Sequence, residues 1–259
     1  MMTRVFRIFF LLFVSTLLMV QAGDRCLPST PNRRFAPLIR CGSGKTLNWA
    51  GYVAETHLKN PRSHSVTDVQ GTWQVPTLVS SGTLDTSSAI WVGIDGVSDQ
   101  TVEQIGTEQD WTGGAPVYYA WFEMYPTRGY YLSTFPVEPG DQISAEVQVV
   151  GKNLFALSIS NLTQNAGFSI TKKRSAKCSS ADWIVEAPYL HRILTLADFG
   201  LVTFTDCSAT IEGVQGPIND ISWQNQAEIM EARKTASVLA QPSALTTNAT
   251  GFTVTWEQN

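Results

Sequence analysis

Between Gly140 and Ser160 the side chains alternate almost without exception. Ile143, Ala145, Val147 and Val149 are separated by Ser144, Glu146 and Gln148; after Gly151, Phe155, Leu157 and Ile159 are separated by Ala156 and Ser158. Successive residues of a β-strand point to opposite faces, so a period of two specifies a hairpin with one buried and one wet face. A helix made of the same residues would scatter them around its circumference. Strand signals also cover 49–55, 65–75, 89–94, 117–125, 166–172, 202–211 and 252–256. No segment has a convincing 3.6-residue period; 224–234 is the best helix candidate, with strand and loop as its alternative. Many strands at roughly 8–12-residue spacing mean a sandwich or barrel, and the chain reads as one all-β domain.

The N-terminus sets the compartment. Arg4 and Arg7 precede an apolar run over 8–20 that ends in Val20-Gln21-Ala22, the layout of a secretory signal peptide. About 13 residues are too few to span a bilayer, which takes roughly 20. The expected organisation is a signal peptide over 1–22, an N-terminal arm or short pro-segment over 23–47 and a β-sandwich domain over 48–259. The expected location is outside the cell or in the periplasm. Loss of 1–22 leaves 16 basic against 22 acidic residues, a charge that disfavours nucleic acid or an anionic membrane as partner. The mature protein is expected to be a monomer. Cys26, Cys41, Cys178 and Cys207 suit an oxidising compartment and show no C-x-x-C spacing. Of three possible pairings, Cys26–Cys41 with Cys178–Cys207 joins near neighbours. Asn161 and Asn248 open N-x-T sequons.

Several chemistries find no support in the residues. Gly44-Lys45-Thr46 ends like a phosphate-binding loop, but the glycine needed at 39 is Ile39. His57, His64 and His191 lack metalloprotease spacing, and no G-x-S-x-G elbow is present. What remains is a series of polar residues inside aromatic, strand-like segments: Asn48-Trp49-Ala50-Gly51, Trp91-Val92-Gly93-Ile94-Asp95-Gly96, Glu103-Gln104-Ile105-Gly106, Tyr119-Ala120-Trp121-Phe122-Glu123-Met124-Tyr125-Pro126 and Trp183-Ile184-Val185-Glu186.

In order and spacing these segments resemble the glutamic peptidases, or eqolisins, from Asn48 to Phe204-Thr205-Asp206-Cys207. The resemblance implies an antiparallel β-sandwich of two large curved, lectin-like sheets, with little helix and a peptide cleft on the concave face. It implies a secreted acid endopeptidase that takes polypeptide substrates and needs no cofactor or metal. Carried over residue by residue, the catalytic pair falls on Gln104 and Glu186. Trp49, Trp91, Asp95, Glu123 and Tyr125 match residues that line or support the cleft. Two positions depart from the fungal pattern, Glu108 in place of Asp and Ala187-Pro188 after Glu186. Both touch the pocket, so substrate preference does not transfer.

The implied pair is chemically sound. A carboxylate with an ordinary pKa of about 4.3 is a usable base at acid pH, where histidine is already protonated. A glutamine amide does not ionise and stays a donor for an oxyanion. The alternative from another class is a carbohydrate- or peptide-binding sandwich whose aromatics serve as platforms without catalysis. A sandwich glycosidase is less suited: two carboxyls must flank one bond about 5–10 Å apart, and neither 184 nor 188 is acidic.

Overall fold

The fold is that of a computed structural model, which describes residues 18–20, 26–28 and 35–258; of the first six, only the backbone is described. The expected signal segment otherwise lies outside the described residues. Four short strands come first: β1 (Leu18–Val20), β2 (Cys26–Pro28), β3 (Arg40–Gly42) and β4 (Lys45–Thr46). The long strands follow as β5 (Trp49–Glu55), β6 (Val66–Gln74), β7 (Thr86–Ile94), β8 (Val102–Thr112) and β9 (Ala115–Tyr125). Next are β10 (Tyr130–Leu132), β11 (Gln142–Gly151), β12 (Leu154–Asn161), β13 (Ala166–Lys173) and β14 (Ser180–Glu186). The chain ends with β15 (Leu201–Ile211), β16 (Val214–Gly216), β17 (Gln224–Glu231), β18 (Val238–Pro242) and β19 (Phe252–Trp256). No described residue is helical, so the helix candidate at 224–234 resolves as strand β17 and a loop.

The pairing produces two faces of one curled, almost wholly antiparallel sheet. The cleft side runs β2-β10-β9-β8-β7-β14-β5-β17. The back runs β1-β13-β12-β11-β6-β15-β19-β18-β17. Strand β17 belongs to both: Gln224–Glu228 pair with β5, whereas Met230 and Glu231 pair with β18. The alternation read in β11 and β12 holds, with Ile143, Ala145, Val147, Phe155, Leu157 and Ile159 all buried. They meet Ile90, Val92, Ile105, Phe122 and Trp183 from the cleft side in one core between the layers.

The cysteines correct one expectation: Cys178 and Cys207 are buried free thiols. The Cys178 carbonyl accepts from Val66 N, whereas Cys207 sits in a bulge of β15 opposite the stretch of β6 between Gln70 and Thr72. That offset of four to six strand residues is roughly 13–20 Å, and bridged cysteines need Cα atoms within about 7 Å. Cys41 is an exposed thiol, and the side chain of Cys26 is outside the described set.

Candidate active site

Alternation sends every second residue of the cleft strands away from the main core. Trp49 and Val53 on β5, Ala89 and Trp91 on β7, Trp121 on β9 and Ile184 on β14 form a second apolar cluster on that face. Gln104, Glu123 and Glu186 share it by register. Gln104 stands opposite Gly93 on one side and Glu123 on the other, and Glu186 stands opposite Ala89 and Trp49. The glycines of the motifs make this packing possible. A Cβ on Gly106 would lie 2.2 Å from Ile90 O and 2.6 Å from Trp91 Cβ. At Gly51, with φ 151°, it would lie 2.1 Å from Trp183 O.

Glu186 is fully buried, and Trp91 Nε1 donates to its Oε2 at 3.0 Å. Its Oε1 is buried without a hydrogen bond of good geometry. Burial, and next the nearby Glu123 charge, push the Glu186 carboxyl well above the ordinary range. The Trp91 indole, the Ala36 backbone amide and the Asn48 side chain oppose that shift. Gln104 Nε2 donates to Glu123 Oε2 at 3.2 Å, which fixes the amide with its nitrogen toward the cleft.

The cleft is filled by the chain's own arm. Phe35 N donates to Glu123 Oε2 at 2.9 Å, and Phe35 O accepts from Gln104 Nε2 at 2.8 Å. Ala36 O accepts from Trp49 Nε1 at 3.0 Å and Asn48 Nδ2 at 3.3 Å; Pro37 O accepts from the same Nδ2 at 3.2 Å. Leu38 N donates to Gly96 O at 3.0 Å, and Ile39 N to Asn48 Oδ1 at 2.8 Å. The Phe35 ring lies on Trp121 with centroids 3.5 Å apart and planes 11° from parallel.

Five of the seven residues singled out in the sequence therefore meet around one peptide bond, Phe35–Ala36: Gln104, Glu186, Trp49, Trp91 and Glu123. Tyr125 packs at the edge of the same apolar cluster. Asp95 does not join them. Its φ is 73°, and its carboxylate turns to accept from Cys178 N and Ser179 N, both at 2.7 Å, so it anchors the entry to β14. Burial and then Asp99 raise its pKa to about 7. Two residues escaped the sequence reading. The motif Asn48-Trp49-Ala50-Gly51 gives Asn48 no role of its own, although its side chain holds three backbone groups of the arm; Phe35 lies in the arm, outside every motif. A Phe between Arg34 and Ala36-Pro37 in a polar arm is the signal that pointed to it.

Tyr119 OH donates to Glu108 Oε2 at 2.6 Å, so the Glu108 departure is built into the cleft floor. With the arm seated, Trp49, Trp91 and Trp121 are at most 1% exposed and offer no open platform for a sugar.

Comparison with known proteins covers nearly the whole described domain. The family model described as Peptidase A4 family matches residues 47–256. Aspergillopepsin-2 of Aspergillus niger is 30% identical over 224 residues, 76% of this chain and 73% of that protein. Scytalidopepsin B of Scytalidium lignicola is 29% identical over 166 residues, 59% of this chain and 62% of that protein. A crystal structure of scytalido-glutamic peptidase with a transition state analog inhibitor aligns with TM-score 0.67 and 23% identity, over 82% of this chain and 98% of that one. The crystal structure of aspergilloglutamic peptidase from Aspergillus niger aligns with TM-score 0.58 and 29% identity, over 66% and 99%.

Proposed function

The chain belongs to the peptidase A4 family and is a peptidase; from that premise we propose that it is a secreted acid endopeptidase in which Glu186 is general base and acid and Gln104 stabilises the oxyanion. One observation carries this reading. Gln104 Nε2 lies 2.8 Å from a peptide carbonyl oxygen, and Glu186 faces the amide of the same peptide bond.

The steps follow from these groups. Water enters beside ionised Glu186, gives it a proton and attacks the carbonyl carbon. Charge develops on the oxygen, where the neutral Gln104 amide donates a hydrogen bond that strengthens as the charge grows. Glu186, now protonated, passes its proton to the departing nitrogen, the C–N bond breaks, and a carboxyl and an amine leave. Burial beneath the seated arm favours the proton on Glu186; entry of water relieves that burial and lets the carboxylate ionise at acid pH. Trp91 keeps one carboxyl oxygen fixed, and Glu123 keeps the Gln104 amide turned.

The test is cleavage of a denatured protein across acid and neutral pH. Glu186→Gln is expected to abolish it, and Gln104→Ala to lower kcat by about 10²–10³, the typical loss of one oxyanion donor. Gln104→Glu is expected to fail as well, because a carboxylate there repels the oxyanion. Circular dichroism checks that each variant is folded. Retention of activity by Glu186→Gln sinks the assignment. Export is tested on protein recovered from the medium, which is expected to lack Met1 and the apolar run.

A further inference from the structure

We propose that Asn48 is a substrate-positioning residue: its side-chain amide holds the backbone of the first, second and fourth residues after the bond to be cut, and so fixes the departing half of a polypeptide against Glu186. The proposal deepens the peptidase reading above and rests on it. Residues 35–39 of the arm stand in for a polypeptide substrate, with the Phe35 carbonyl at Gln104 marking the bond to be cut.

The contacts use one amide as donor and as acceptor. Asn48 Nδ2 donates to Ala36 O at 3.3 Å and to Pro37 O at 3.2 Å, and Oδ1 accepts from Ile39 N at 2.8 Å. A carboxylate has no donor and a hydroxyl only one, so neither serves two carbonyls and an N–H together. All three partners are main-chain groups. The contact therefore recognises an extended backbone and leaves the side chains free to vary, as suits an endopeptidase. Asn48 is itself held in place. It is 1% exposed, and its N–H donates to Thr46 Oγ1 at 3.3 Å. The same hydroxyl donates to Trp49 O at 2.6 Å and accepts from Trp49 N at 2.8 Å, which stiffens the entry to β5.

The frame that holds this amide also holds the base. Trp49 is the register partner of Glu186, and Asn48 O accepts from Ala187 N at 2.8 Å. A backbone seated on Asn48 therefore cannot slide along the cleft without breaking contacts tied to the strands that carry Glu186. The Asn48 side chain also favours the charge on Glu186. Held in this way, the nitrogen that departs stays within reach of the Glu186 proton. Positioning of this kind matters because a misplacement of about 1 Å costs on the order of 10²-fold in rate. Binding energy from parts of a substrate remote from the chemistry is realised at the reacting bond, so the hydrogen bond to the fourth residue is expected to act on kcat and not on KM alone.

The experiment uses the full chain, its Asn48→Ala and Asn48→Asp variants, and two octapeptides with a central Phe–Ala bond. The second peptide differs only in an ester oxygen that replaces the N–H of the fourth residue after that bond. The ratio of kcat/KM, amide over ester, compares two substrates on one chain, so whatever fills the cleft beforehand cancels. The parent is expected to favour the amide by roughly three- to tenfold, the worth of one hydrogen bond. The ratio is expected to fall to about one in Asn48→Ala and to survive in Asn48→Asp, which keeps the acceptor. Asn48→Ser, too short to reach the fourth residue, replaces Asn48→Ala if circular dichroism shows the latter unfolded. A parent ratio near one, or a ratio left unchanged by Asn48→Ala, overturns the proposal. A parent chain that cuts no polypeptide defeats the peptidase reading instead. Asn48 is then judged by calorimetric binding of the same peptides: the parent is expected to bind the amide more tightly by the same factor, and Asn48→Ala to bind the two equally. Equal affinity in the parent, or no binding, removes the role given to Asn48.

Discussion

Glu186 and Glu123 are two carboxyls on one apolar face, and their separation of roles follows from what each touches. Glu123 accepts from the Gln104 amide and the Phe35 N–H, contacts that suit a charged acceptor. Glu186 is fully buried, and burial outweighs the Trp91 indole, the Ala36 amide and the Asn48 side chain that favour its charge, so its proton is held. Removing the Glu123 charge lowers the pKa of Glu186, because a like charge nearby is one of the causes raising it. In the proposed mechanism the acid limb of a kcat/KM profile requires ionised Glu186, so in Glu123→Gln that limb is expected to move to lower pH. A fall in kcat of about tenfold or more should accompany it, since Gln104 loses the acceptor that orients it. A profile that keeps the parent's limb would show that Glu123 acts on Gln104 alone.

Strand β8 illustrates the element scale. It carries Gln104 toward the cleft and Ile105 toward the core, and Gly106 follows because Trp91 of β7 occupies the space over it. A methyl there meets backbone at 2.2 Å, and backbone does not move aside cheaply. Gly106→Ala is expected to cost about 1–3 kcal/mol, as overpacking of a close-packed interior does. At about 2–4 °C per kcal/mol for a chain of this size, its thermal midpoint falls by roughly 2–12 °C. Gly151→Ala is the control, since its nearest contact is an ordinary 3.6 Å, and its melting curve is expected to match the parent. Equal melting of the two variants would separate the motif glycine from the packing reason given for it.

Over the whole molecule the unusual feature is the number of buried carboxyls. Glu55, Glu103 and Asp182 are each 0% exposed, and neither oxygen of Glu55 or of Glu103 has a hydrogen-bond partner. Burial raises all three, Glu55 to about 8 and Glu103 and Asp182 well above the ordinary range. Each folded pKa exceeds its unfolded value, so the stability these groups contribute is fully present below about pH 4. It is lost as pH rises through the folded values, a window ending near 8 for Glu55. The fold is thus expected to be most resistant to urea at acid pH and to weaken between about pH 5 and 8. Glu55→Gln is expected to flatten part of that slope and raise the denaturation midpoint at pH 7, with little change at pH 4. A midpoint independent of pH would contradict the burial of these groups. Removal of residues 1–22 bears on the same scale, because Leu18–Val20 pair with Ala166–Phe168 and their loss makes β13 an edge strand.

The sequence alone determined the strands, because side-chain alternation is local: β11, β12 and β19 were legible, and so was the absence of a helical period. It also named Gln104, Glu186, Trp49, Trp91 and Glu123, since motif order survives without coordinates. It did not determine what lies across the sheet. That Asp95 turns away depends on its left-handed backbone and on the amides at Cys178 and Ser179, 83 and 84 residues distant. That Cys178 and Cys207 stay apart depends on where each meets β6. That Phe35 fills the cleft depends on hydrogen bonds to Gln104, 69 residues away, and Glu123, 88 residues away. Such contacts join segments with no shared local pattern, so only closure of the curled sheet brings their partners together.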